Sequence, residues 1–135
     1  MFWKKEQPTK GRVIGYWVTT GLLAAVMLLG GIMDVTQNKE IVKAFTHLGY
    51  PLYFAVLLGV AKILGAIAIL VPKFPRLKEW AYAGITIDLI AAAISHSAVG
   101  DDFGKIIVPV VFLVILTVSY LLRPPSRVLI VSSEQ

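Results

Sequence analysis

The chain contains no cysteine, which removes disulfides, thiolate nucleophiles, cysteine-ligated zinc and iron–sulfur clusters, and leaves its redox compartment unmarked. Histidine is scarce too: only His47 and His96, in no H-x3-H or HExxH spacing, so no metal site is assigned. Acidic residues number 8 against 13 lysines and arginines. A glycine-rich phosphate loop, a Ser-His-Asp set and a glutamate pair suited to acid–base exchange are all missing. No catalytic residue is assigned, and the sequence leans away from an enzyme.

Apolar length is what the sequence does have. Hydrophobic residues make up 57% of the chain, above the roughly 45–50% of ordinary globular proteins. Val13 to Met33 run for 21 positions without a charge. A helix rises about 1.5 Å per residue and the hydrocarbon core is about 30 Å thick, so ~20 such residues make one crossing. Four spans are expected, at 13–33, 51–71, 80–99 and 106–122. Pro51 suits a first helical turn, and Pro72 and Pro75 enclose a tight basic turn, KFPR. Pro109 falls in the first turn of the fourth span, and Pro124-Pro125 end it. The first apolar run is longer than the roughly 7–15 residues of a signal peptide and has no A-x-A site after it, so it reads as an uncleaved helix. Between the first two spans Ile41, Ala44, Phe45 and Leu48 share a helical face, which predicts a short helix lying in the interface or capping the bundle. The expected fold is an all-α integral membrane protein. It is a single domain over 1–135, a four-transmembrane-helix antiparallel bundle with a short interfacial helix between helices 1 and 2.

The net charge of +5 is distributed as a topology signal, not as a nucleic-acid patch. Lys4, Lys5, Lys10, Arg12, Lys73, Arg76, Lys78, Arg123 and Arg127 fall on one side, against Lys39, Lys43 and Lys105 on the other. The positive-inside bias then puts both termini in the cytoplasm, with some attraction to anionic lipid. Aromatics agree with these boundaries: Tyr16, Trp17, Trp80, Tyr82 and Tyr120 near one interface, Tyr50 and Tyr53 near the other. Thr19, Thr20, Thr117 and Ser119 can bond back to their own helices. The Gly30-Gly31 step permits close packing or a bend.

Two ionisable residues fall at membrane depth, Lys62 in the second span and Asp88 in the third, both about 12–14 Å from the same boundary. Such groups cost several kcal/mol unless paired or wetted. Ala55, Gly59, Lys62 and Ala66 share one helical face, and Ala81, Gly84, Asp88, Ala92 and Ser95 share another. Small residues at these spacings favour close helix contact, so an interhelical Lys62–Asp88 pair is expected. With no third ionisable residue expected at that depth, the pair reads first as a device that fixes helix register. A ligand, proton or ion site is the alternative. Near the outer end, His96 can form a polar cluster with Ser95, Asp101, Asp102 and His47; the aspartates can instead cap the fourth helix.

LGYP (Leu48 to Pro51), Lys62 with Gly65, LKEWAYAG (Leu77 to Gly84) and Ser95-His96 with Gly100-Asp101 together resemble the DoxX-like family of small four-helix membrane proteins, over residues 13–122. The resemblance implies a four-helix bundle in a bacterial cytoplasmic membrane. It also implies an association with quinone-linked or thiol redox systems, in which a chain without cysteine carries no thiol relay itself. No catalytic residue transfers.

Three readings of function follow, in order. The first is a non-catalytic accessory or scaffold subunit that sits in the lipid bilayer with a membrane redox partner or as a homo-oligomer. The second is a protein that binds or transports a small molecule (a quinone, a lipid or a proton) through Lys62, Asp88, His96 and Asp101. A membrane enzyme centred on His96 and Asp101 comes last. No cofactor is evident in the sequence, and nucleic acid is not a partner.

Overall fold

The computed structural model describes residues 9–124. Lys4, Lys5, Pro125 and Arg127 lie outside that range. Among the described residues five helices form: α1 (Lys10–Thr36), α2 (Lys39–Leu48), α3 (Tyr53–Leu70), α4 (Pro75–Ala98) and α5 (Phe103–Leu121). All but α2 are long and apolar enough to cross a membrane. The four pack as an antiparallel ring in the order α1, α3, α4, α5, with α5 closing back on α1.

Local chemistry sets the helix ends. Thr9 caps α1, accepting the backbone N–H of Arg12, and Asn38 caps α2, accepting that of Ile41 at 2.9 Å. Gly49 takes a positive φ of 82° at the end of α2, a conformation that costs glycine little. Every span shifts by one to five residues from the sequence expectation, and α3 begins at Tyr53, so Pro51 precedes the helix instead of entering its first turn. α1 runs on to Thr36, past Met33, so Asp34 belongs to the helix. α4 starts at Pro75, five residues before Trp80, because proline's fixed φ suits a first turn. α5 starts at Phe103, so Pro109 sits inside the helix and leaves the Lys105 carbonyl without its usual backbone donor.

Small residues decide how closely the helices approach. A Cβ on Gly59 would lie 2.6 Å from the Gly31 carbonyl oxygen, and one on Gly31 would lie 2.8 Å from that of Gly59. This backbone-to-backbone crossing locks α3 against α1. The apolar core lies nearby, around Leu23, Ala24, Met27, Ala66, Ile69, Ile85 and Leu89.

At the end of the bundle where α1 begins and α5 ends, the tyrosines turn inward. Tyr16 and Tyr82 are buried, while Trp17 and Trp80 stay exposed as interfacial residues should. The Tyr82 hydroxyl lies 2.7 Å from Ser119 Oγ, which also meets Thr20 Oγ1 at 2.5 Å. Thr20 and Ser119 therefore bond across α1 and α5, whereas Thr19 and Thr117 do bond back to their own helices. Arg123 donates to Glu79 at 2.6 Å and lies 3.7 Å from the Tyr120 ring centre. Lys78, fully buried, donates to the Val71 and Lys73 carbonyls and organises the α3–α4 turn, where Lys73 and Phe74 take positive φ.

Candidate functional site

Because the Gly31–Gly59 crossing turns the small face of α3 toward α1, Lys62 meets α1 first. Its ammonium lies 3.0 Å from Asp34 Oδ2, and the Asp34 side chain is only 2% exposed. The contact is one of opposite charges: Oδ2 accepts no directed hydrogen bond. The expected Lys62–Asp88 contact is therefore corrected, and Asp34 is the ion-pair partner. A short α3–α4 turn makes those helices neighbours, but the stripe of Ala55, Gly59, Lys62 and Ala66 faces α1, not α4. Asp34 is also the third ionisable group here, on α1 level with Gly59, where a Cβ would lie 2.8 Å from the Asp34 Cβ.

The matching stripe on α4 does something else. A Cβ on Gly84 would meet nothing within 4 Å, so small residues there leave space where close contact was expected. A cavity of about 780 Å³ fills that space, lined from all five helices. Its walls are largely apolar, including Met27, Phe45, Phe54, Leu58, Leu89 and Phe112, and Asp34, Lys62 and Asp88 line it as well. A second space of about 270 Å³ opens between α3 and α4 beside Leu64, Leu77 and Trp80. Met27, Leu58, Lys62, Gly84 and Asp88 line both, so the two meet at the charged group.

The opposite mouth lies under α2. The face of Ile41, Ala44, Phe45 and Leu48 lines the cavity, so the short helix caps the bundle. Phe45 is buried and packs beside Phe54 at 6.4 Å between ring centres. One carboxylate ties this cap down. Asp101 Oδ1 lies 2.6 Å from His47 Nε2, and Oδ2 lies 2.6 Å from His96 Nδ1. These hydrogen bonds, from His96 first and His47 next, hold the Asp101 carboxyl below its ordinary value of 3.8. The Tyr50 hydroxyl meets Ser95 Oγ alongside.

Each anticipated residue now has a location. Lys62 and Asp88 both line the cavity without forming the ion pair; His96 and Asp101 join with His47 at the mouth, and Ser95 pairs with Tyr50. Asp102 stands outside the cluster, exposed at the head of α5, with no side-chain capping bond. Among the described residues no cluster of three or more His, Cys, Asp or Glu side chains is arranged to hold a metal. One nitrogen of each histidine, His47 Nε2 and His96 Nδ1, is engaged by Asp101. Sequence reasoning missed Asp34, since it read the first span as ending at the last uncharged residue. The signal available was spacing: Asp34 is one helical turn beyond Gly30-Gly31 on the same face.

Comparison with known proteins adds one finding. The model of the DoxX-like family matches residues 18–119, well over half of the chain and a stretch that contains every residue lining the cavity. No curated protein and no solved structure matches it.

Proposed function

The chain belongs to the DoxX-like family, and for this member we propose a binding function: the bundle takes up a small amphipathic molecule from the bilayer. The observation that carries this reading is the cavity of about 780 Å³, largely apolar along its walls and lined also by Asp34, Lys62 and Asp88. Ligand pockets run to about 300–1,000 Å³ and combine apolar lining with a few fixed polar groups, as here. An ionisable group inside a membrane protein that faces a cavity usually marks a binding or transfer path. In this reading the body of the ligand lies against Met27, Leu58 and Phe112. Its head lies among Lys62, Asp34 and Asp88, and α2 with the His47–Asp101–His96 clamp covers the far mouth. Quinone- and lipid-like molecules both have this form, and four helices suit binding better than solo transport.

We place the protein in the bacterial cytoplasmic membrane with both termini inside, on the strength of the basic residues at the terminal end. An accessory-subunit role is compatible with the same cavity, since a bound molecule can be presented to a membrane partner. One experiment separates the two. The protein is extracted in a mild detergent, and everything that copurifies is identified by mass spectrometry, for the wild type and for Gly84→Leu. A stoichiometric small molecule, lost in the variant, is the expected result. A stoichiometric protein partner without any small molecule would put the accessory role first.

A further inference from the structure

The cavity is lined by an unequal set of charges. Lys62 is committed to Asp34 at 3.0 Å, and Asp34 is almost completely enclosed. Asp88 adds a second carboxylate to the same space, in both the large cavity and the α3–α4 opening. The other basic groups near the cavity do not serve this set. Lys105 lines the mouth, and His47 and His96 are engaged by Asp101 at that same end. One ammonium thus faces two carboxylates in surroundings of low polarity, where an uncompensated charge is costly.

We propose that this site takes a lipophilic monovalent organic cation, which enters from the bilayer between α3 and α4 and places its charge beside Asp88. The inference rests on the binding function above and selects the charge of its ligand. An anionic head would meet two carboxylates and one ammonium already paired. A neutral head would leave the second carboxylate as it was. A single positive charge balances the set.

The opening supports the same direction of approach. Leu64, Leu77 and Trp80 line its outer edge and are 60%, 51% and 76% exposed, on helices that cross the membrane. Trp80 offers an aromatic ring at the place where a lipophilic cation would first leave the lipid. Gly84 marks the join with the large cavity, where a side chain has open space to occupy.

The test uses two ions of nearly the same size and shape and opposite charge, tetraphenylphosphonium and tetraphenylborate. Equilibrium dialysis of the purified protein in maltoside micelles, corrected with empty micelles, measures saturable binding of each. The wild type should bind about one tetraphenylphosphonium per chain and no tetraphenylborate. Asp88→Asn, which keeps the side-chain shape, should weaken tetraphenylphosphonium binding at least tenfold, and Gly84→Leu should abolish it, with helix content unchanged by circular dichroism in both. Equal binding of the two ions, or binding indifferent to Asp88→Asn, would overturn the charge inference; sensitivity to Gly84→Leu would still uphold the cavity. Saturable binding of neither ion would also overturn the inference. The binding function would then stand or fall on whether Gly84→Leu removes a copurifying molecule.

Discussion

Lys62 and its two carboxylates behave differently when altered, because only one of them is in ionic contact. Removing the ammonium by Lys62→Met strands Asp34 in an enclosed position, and breaking a buried pair this way costs about 3–5 kcal/mol. Adding Asp34→Leu should recover most of that loss, whereas adding Asp88→Leu should not. Thermal unfolding in detergent of the single and two double variants checks the order. Recovery by Asp88→Leu alone would restore the pairing suggested by sequence. That pairing was inferred from depth and helical face; Lys62 and Asp88 do line one cavity, but the small-residue face of α3 is turned to α1. What residue-by-residue reading could not supply was the rotation of α3 toward α1. Nor could it show that Asp34, one position past an uncharged run, is still helical.

Two elements, the α1–α3 crossing and the α2 cap, respond to different perturbations. Gly59→Ala puts a methyl 2.6 Å from the Gly31 carbonyl oxygen, with Asp34 and Val35 side-chain atoms at 2.8 Å, so the backbones must part. Overpacking of this kind costs about 1–3 kcal/mol and should lower the unfolding temperature; Gly84→Ala, with open space around it, should leave it unchanged. The cap responds to acid. A carboxyl held below its ordinary value when folded contributes stabilisation that is complete above that value, and lost as pH falls through the lower folded one. Asp101 therefore anchors α2 at neutral pH and should release it below about pH 4. Since the chain has no cysteine, Thr46→Cys gives a single labelling site on the exposed side of α2. A spin label there should gain mobility below pH 4 and be mobile at all pH values in Asp101→Asn, while a label at Val114→Cys on α5 stays fixed. An immobile Thr46→Cys label in Asp101→Asn would show that apolar packing alone holds the cap. The existence of α2 was legible from a four-residue apolar period, and the clamp from the polar cluster of His47, His96 and Asp101; that one carboxylate bridges both histidines was not, since His47 and Asp101 lie 54 positions apart.

At the scale of the whole molecule, the sequence revealed the layers but not the interior space. Four apolar runs of near-membrane length and the turns between them follow from hydropathy and proline placement, and the bundle has those spans with shifts of a few residues. The cavity depends on how small residues are distributed among faces. Gly31 and Gly59 bring two backbones together, while Gly84 on α4 leaves a gap, and one sequence pattern served both outcomes. The tyrosines expected at the interface illustrate the same limit. Tyr16 and Tyr82 turn inward, and Tyr82 joins a hydroxyl layer with Thr20 and Ser119 that only the assembled bundle defines. The bundle is read as built around a binding space lined by Asp34, Lys62 and Asp88. The most direct measurement is a crystal structure of wild-type protein grown from a lipidic phase with no ligand added. The account predicts continuous density for an elongated molecule in the cavity, its head within hydrogen-bonding reach of Lys62 or Asp88. A cavity closed by α2 and side chains, with Lys62 and Asp88 in direct contact, would contradict it.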